Sequence, residues 1–218
     1  MKNFFDYKAY IFDMDGTLYF KRPMQLRMAW QLGRYYLLHP HRVKELLVIR
    51  AYRKLRERED ITGREGFETV IRRRLAGDFS MSESRVDSVV DNWMLLRPLM
   101  AVAKSRDKTL LRQITQLQNL GKAVFVYSDY PAKDKCRAIG LKPQGIYWPD
   151  GAKIRKLKPE PDGLRCLLEE NGLAPEDVLF VGDRQEKDGK CAAAMGVDAW
   201  ILAGDPLRRK KQYGEMNF

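Results

Sequence analysis

The stretch Tyr10-Ile11-Phe12-Asp13-Met14-Asp15-Gly16-Thr17-Leu18 restricts the choice of fold more than any other part of this chain. An apolar run ends abruptly in two carboxylates that alternate along the backbone, and a glycine follows. The run reads as a strand over Ala9–Phe12, buried in a sheet. Asp13 and Asp15 then emerge at its carboxyl end, the usual ligand side of an open α/β sheet. Alternate residues at a strand end can sit on one side of the backbone. Two carboxylates held that close repel each other, so a metal ion or a shared proton must offset the charge. Gly16 permits a sharp bend right after the pair. The competing readings are a surface Asp-x-Asp-Gly turn and a calcium loop. A calcium loop needs further oxygen ligands and a late Glu at fixed spacing, whereas Leu18, Tyr19 and Phe20 are apolar.

Residues 21 to about 106 differ in character from what flanks them. Apolar residues recur at helical spacing from Met24 to Leu38, and His39-Pro40 breaks the pattern. A second helix is expected from His41 to Glu59. Thr62 and Glu65 fit a capping box for a third, ending near Leu75. Gly77 to Ser80 reads as a turn. Ser82 caps a fourth helix through Val86, Val89, Val90, Trp93 and Leu96, which Pro98 is expected to end. Four helices inserted after a first strand suggest a cap over an α/β core.

Strand–helix alternation resumes near Asp107. A helix over Leu110–Leu120 closes on Gly121. Ala123–Tyr127 and Val178–Val181 are continuous apolar runs, as buried parallel strands are. Gly145–Trp148 and Ala199–Leu202 are shorter strand candidates. Helices are expected over Pro131–Ile139, over Asp162–Glu170 and from Asp188 through Ala194. The alternation predicts an α/β fold with a doubly wound parallel sheet. Residues 1–20 and 107–218 form its core, and 21–106 form the helical cap. The basic tail Arg208-Arg209-Lys210-Lys211 reads as a solvated end.

Three later strand ends or loops place polar residues where ligands should bind. Ser128 follows Tyr127, and a hydroxyl there, with adjacent backbone N–H groups, can hold a phosphoryl oxygen. Lys158, before Pro159, offers an ammonium that can balance nucleophile and phosphate together. Lys156 competes for that role. Asp183 and Asp188 lie in Gly182-Asp183-Arg184-Gln185-Glu186-Lys187-Asp188, and such carboxylates suit Mg²⁺. Arg184 and Lys187 in the same loop are either substrate-facing or solvated.

These four blocks, in this order, resemble the four motifs of the haloacid dehalogenase (HAD) superfamily in its phosphatase form, with the GDxxxxD version of the fourth. The Lys158-Pro159-Glu160-Pro161 arrangement resembles the third motif and favours Lys158 over Lys156. The resemblance implies a Rossmann-like core with a helical cap between the first two motifs, similar to phosphoglycolate phosphatase-like members. It implies Asp13 as nucleophile and Asp15 as general acid/base, the second Asp distinguishing phosphatases from true dehalogenases. It further implies Mg²⁺ held by the Asp13 carboxylate, the Asp15 backbone carbonyl and Asp183, with Asp188 as ligand or supporting group, and Ser128 and Lys158 on the phosphate. The expected activity is phosphomonoester hydrolysis through an aspartyl phosphate, and the expected partner is a phosphorylated small molecule. Met14 should meet phosphate by its backbone N–H rather than its side chain.

Charge bears on what else the chain meets. A formal net charge of +11 attracts anions in general: phosphorylated substrates, nucleic acid or acidic lipid. Much of it lies in residues 21–58, interleaved with Trp30, Tyr35, Tyr36 and Tyr52. That surface could rest on an anionic membrane, the substrate then being a lipid-linked phosphate such as a polyprenyl sugar phosphate. A binding module for membrane or nucleic acid is the alternative of a different class, and the intact catalytic set argues against it; nucleic acid is not the expected partner. A phosphomutase is a third. Cys136, Cys166 and Cys191 lack metal-ligand spacing and read as free thiols of a reducing cytosol. No run of about 18 uncharged apolar residues predicts a membrane span, and no signal peptide is evident, so a cytoplasmic, at most membrane-peripheral, location is expected.

Overall fold

The computed structural model describes residues 3–58, 66–150 and 152–215. Five strands rich in Val, Ile, Phe and Tyr form one parallel sheet: β1 (Ala9–Phe12), β2 (Ala123–Tyr127), β3 (Gly145–Tyr147), β4 (Val178–Gly182) and β5 (Asp198–Ile201). Their order is β3-β2-β1-β4-β5. Every residue of β1 and β4 is buried, because both faces of the sheet are covered.

Alternation along the strands sorts the core into two layers. Tyr10, Phe12, Val124, Val126, Leu179 and Val181 face one way, onto Leu110, Ile114 and Leu117 of α6 (Lys108–Asn119). Ile11, Phe125, Tyr127 and Phe180 face the other, onto Leu164, Leu167 and Leu168 of α8 (Asp162–Glu170). Fully burying such a side chain contributes about 1.5–3 kcal/mol. The remaining helices of this part are α7 (Lys133–Ile139), α9 (Lys190–Ala194) and α10 (Pro206–Glu215).

Between β1 and β2 come α1 (Lys21–Leu38), α2 (Lys44–Arg56), α3 (Phe67–Phe79), α4 (Glu83–Val90) and α5 (Pro98–Ser105). The chain leaves and returns side by side. Tyr19 and Arg106 form an antiparallel bridge, the Phe20 N–H donates to the Ser105 carbonyl, and the Asp107 N–H donates to the Leu18 carbonyl. This helical cap has its own apolar cluster, including Val48, Tyr52, Phe67, Ile71, Leu75, Val86 and Trp93.

Several expectations need correction. Pro98 does not end the helical run: a π-turn over Asp91–Leu96 leads into α5, with Pro98 at its first position. A proline is tolerated there because the first N–H groups of a helix have no partner in any case. The third helix continues past Leu75 to Phe79, taking in Gly77, and ends on Ser80 in the left-handed region at φ 51°. Its proposed capping box, Thr62 and Glu65, lies outside the described residues. The second helix is shorter than expected, since Pro40–Arg42 forms a 3₁₀ turn before it. Asp188 does not open an α-helix; it sits in a π-turn over Gln185–Gly189, and α9 follows. The basic tail is not simply a solvated end. It is part of α10, and Arg209 is fully buried.

Candidate active site

Register brings the chemistry to one edge. Phe12 of β1 pairs with Val126 of β2 and Val181 of β4, so the three strands end within one residue of each other. Asp13, Ser128 and Asp183 follow directly, where the strand order reverses about β1. The turn after Asp13 is tight. Gly16 has φ 103°, and a Cβ there would lie 2.3 Å from Asp183 Oδ2 and 2.6 Å from Lys21 Cε. Only glycine fits, because both the backbone conformation and the space forbid a side chain.

Lys158 lies at the centre of this edge. Its buried ammonium donates to Asp13 Oδ1 at 2.5 Å and to Asp188 Oδ1 at 2.7 Å. Lys156 is exposed and pairs with Glu160 instead. The other Asp13 oxygen accepts from the Thr17 hydroxyl at 3.1 Å. Burial pushes the Asp13 carboxyl up; Lys158 pulls it down, Asp188 and Asp15 push it up again, and the balance lies at about 7. Burial disfavours the Lys158 ammonium, but Asp13, Asp188 and Asp129 outweigh it and hold the lysine well above its ordinary value.

Asp188 shapes the loop that follows β4. Its Oδ2 accepts from the backbone N–H groups of Asp183 and Arg184, at 3.1 and 3.0 Å. Gly182 makes room, since a Cβ there would lie 2.4 Å from Asp188 Cβ. Asp183 accepts from Lys21 of α1 at 2.7 Å through Oδ2, while its buried Oδ1 has no hydrogen-bond partner among the described residues. Asp13, Asp183 and Asp188 place carboxylate oxygens within 4.8 Å of one another. Three hard oxygen donors, one of them unpartnered and buried, fit a divalent cation.

Asp15 has separate partners. Lys135 of α7 donates to both of its oxygens, at 2.6 and 2.9 Å, and the Tyr19 hydroxyl also donates to it. Burial pushes the Asp15 carboxyl up, but Lys135, Tyr19 and Lys21 outweigh this and hold it below its ordinary value. Ser128 is buried at the end of β2, and its Oγ accepts from the Tyr130 N–H at 3.2 Å. Met14 is fully buried in the sheet core, leaving its backbone to face the turn.

Four groups that carry no motif complete the arrangement. Asp129 accepts from the Lys158 N–H at 3.0 Å and pairs with Lys187 and Arg184 at 3.2 and 3.4 Å, which gives those two cations a common anchor. Lys135 and Lys21 reach the acidic groups from α7 and from the cap. Arg209 of α10 donates to the carbonyls of Gly16 and Thr17 at 2.7 and 2.9 Å, supporting the turn after Asp13 from behind. Asp129 was the most visible of these, being adjacent to Ser128. The others come from distant segments with no local spacing signal.

A cavity of about 490 Å³ opens over this edge. Asp13, Asp15, Asp129, Lys135, Arg184 and Lys187 line its floor. Met24, Met28 and Leu32 of α1, with Ile49, Trp93 and Met94, line its roof. The floor is therefore charged and the roof mostly apolar, with Gln25, Arg53 and Glu57 as its polar side chains.

Solved structures share this architecture. A 2-haloacid dehalogenase from Pseudomonas syringae pv. Tomato DC3000 is 18% identical, with TM-score 0.66, covering 90% of this chain and 86% of its own. YfnB from Bacillus subtilis, described as a HAD hydrolase and bound to magnesium, is 14% identical, with TM-score 0.64 and both chains covered in full. A HAD phosphatase from Thermococcus onnurineus is 16% identical, with TM-score 0.52, covering 89% of this chain and 86% of its own. At these identities the likeness is one of fold. No curated protein sequence matches the chain. A family model for haloacid dehalogenase-like hydrolases matches residues 7–196. That match runs through every strand end described above except the last, and on it the chain belongs to the haloacid dehalogenase-like hydrolases.

Proposed function

We propose that this hydrolase is a Mg²⁺-dependent phosphomonoesterase. The observation that carries the reading is Asp15, a second carboxylate on the cavity floor two residues from Asp13. A halide leaves carbon without needing a proton. An alkoxide leaving phosphorus needs one, and a positioned carboxyl can supply it.

Asp13 attacks phosphorus through a carboxylate oxygen, forming an acyl phosphate as the ester P–O bond breaks. Asp15 gives a proton to the departing oxygen. It then takes one from the water that attacks phosphorus, releasing inorganic phosphate and restoring Asp13. In the free protein Lys135 and Tyr19 hold Asp15 ionised. Acid catalysis therefore requires a proton on Asp15 once substrate is bound, and an arriving phosphate draws Lys135 away from it. Lys158 keeps Asp13 in place and offsets charge. Ser128, at the end of β2, and the backbone after Asp13 are the donors that the motif order assigns to the transferred group. Arg184 and Lys187, anchored on Asp129, offer positive charge on the same cavity floor. Asp13 and Asp183, with Asp188 and the Asp15 carbonyl, would hold Mg²⁺. When bound, the ion supplies positive charge that offsets the carboxylates and the phosphate. The methionine-rich roof favours an organic phosphate with a substantial apolar portion.

The test is phosphate release from a panel of phosphoglycolate, sugar phosphates, nucleotides and lipid phosphates, with and without Mg²⁺, for wild type and Asp13→Asn. Release that needs both the metal and Asp13 supports the proposal. Halide release from 2-haloacids without metal, isomer formation in place of phosphate, or full turnover by Asp13→Asn would overturn it.

A further inference from the structure

Helix α1 is apolar on two opposite sides. Met24, Met28 and Leu32 line the cavity. On the outward side Leu26, Trp30 and Leu37 follow one another at steps of four and seven, joined by Gly33, and they are 72, 73 and 82% exposed. The side of a surface helix opposite its packed face is normally polar, whereas this outer stripe is apolar and stays largely uncovered among the described residues. Scattered exposed leucines need no explanation, but an aligned Leu-Trp-Leu stripe does. The other tryptophans are at least partly covered, and Trp93 and Trp200 are buried.

The charge around the stripe is one-sided. Arg27 and Arg34 lie one turn before and one turn after Trp30 on the same helix. Residues 21–58 carry eleven Lys and Arg, with Glu45 and Glu57 as their only acids, so this segment holds most of the chain's formal +11. Glu45 is buried and committed to Arg85. Arg22, Arg27, Arg34, Lys44, Arg50 and Lys54 form no ion pair among the described residues. A protein partner for such a face would need an acidic rim around an apolar groove. An anionic bilayer surface offers negative charge and an apolar layer together, and tryptophan prefers that boundary. A second copy of this chain would bring the same positive face against itself and is repelled.

We infer that the outer face of α1 docks on anionic lipid surfaces, with Trp30 and its neighbouring leucines at the interface and Arg27 and Arg34 on the headgroups. No helix among the described residues is long and apolar enough to cross a membrane, so the contact is peripheral. The docked helix is the one whose other face roofs the cavity. The site then lies about one helix diameter, roughly 10–12 Å, from the lipid surface.

The test is flotation of the full chain with vesicles of phosphatidylcholine alone, or with roughly a third phosphatidylglycerol, at low and high salt. Wild type should float with the anionic vesicles at low salt, with a blue shift of tryptophan emission, and should be released by salt. The pair Leu26→Ser with Trp30→Ser, and separately Arg27→Glu with Arg34→Glu, should each weaken partitioning by roughly tenfold or more. Circular dichroism melting should show both variants folded, since these side chains are exposed. Four results would overturn the inference: no flotation of wild type; equal binding to neutral vesicles at any salt; loss of vesicle binding in neither variant; or a dimer that the serine variant dissociates while vesicle binding is absent. None of these readouts depends on the hydrolytic activity.

Discussion

At the scale of single residues, Lys158 decides how the acidic edge can exist at all. Asp13 and Asp188 are both buried, and each gives it one oxygen. Removing one partner of a buried ion pair leaves its counter-charge uncompensated, which costs about 3–5 kcal/mol. Lys158→Met should therefore lower stability by about that much in urea unfolding. The loss should be greater near pH 8 than near pH 5, because acid lets the abandoned Asp13 carboxylate, already raised by burial, take up a proton. Asp13 supplies a second prediction. Its carboxyl is raised in the folded, metal-free protein from 3.8 to about 7. A raised acid favours the folded state while protonated in the fold, so its contribution is full below the unfolded value and is lost as pH rises towards about 7. Metal binding needs the carboxylate and reverses that loss. Thermal melts should show the rise in Tm on adding Mg²⁺ to be larger above pH 7 than near pH 5. An equal rise at both would contradict the assignment of Asp13 to the cation.

At the scale of elements, α10 holds the turn after Asp13 from behind. Arg209 donates to the carbonyls of Gly16, Thr17 and Ala203, and to Asp107 at 3.3 Å. Asp107 in turn caps α6 and accepts from the Tyr213 hydroxyl at 2.7 Å. A planar guanidinium spreads five donors across the distance that separates these acceptors, which an ammonium with three donors on one atom cannot span. Arg209→Lys should thus recover little of the stability lost in Arg209→Ala, about 2–4 kcal/mol measured by urea unfolding. The glycine turn it supports has no slack. Gly16→Ala should fold less stably and reduce phosphate release at least tenfold, because its methyl group would collide with Asp183 and Lys21.

Across the whole molecule, cap and core meet through cations as well as through apolar contact, since Val102 of α5 belongs to the core cluster and Met24 of α1 packs against it. Arg56 of α2 is fully buried, lies against the rings of Phe67 and Tyr130, pairs with Glu68 and donates to the Asp129 carbonyl at 3.0 Å. Lys21 makes the second crossing, to Asp183. An Arg56→Met protein keeps the apolar stem but loses the bond to Asp129. It should remain helical yet show a broader distribution of interatomic distances in solution scattering. An unchanged profile would mean that Lys21, the apolar contacts of Val102 and Met24, and the return segments at Tyr19 and Arg106 fix the cap without Arg56.

Local order was largely legible in the residues. Each buried strand is a continuous apolar run, and a polar residue at its end must lie at the sheet edge, so Asp13, Ser128 and Asp183 could be placed without coordinates. Pro98 misled because a proline that stops one helix is equally able to start another. Arg209 misled because a charged run usually lies in water, and nothing near it in sequence announces the carbonyls it serves, some 190 residues earlier. Lys21, Lys135 and Arg56 were hidden for the same reason: a lone cation on a helix has no period and no spacing, and its partner is chosen by packing. The sequence by itself determined which strands are buried and which carboxylates stand at their ends, because burial and turn formation depend on neighbouring residues. Only the tertiary structure decided which cations neutralise those carboxylates and which face of α1 is left bare, because charge pairing and coverage depend on segments that folding alone brings together.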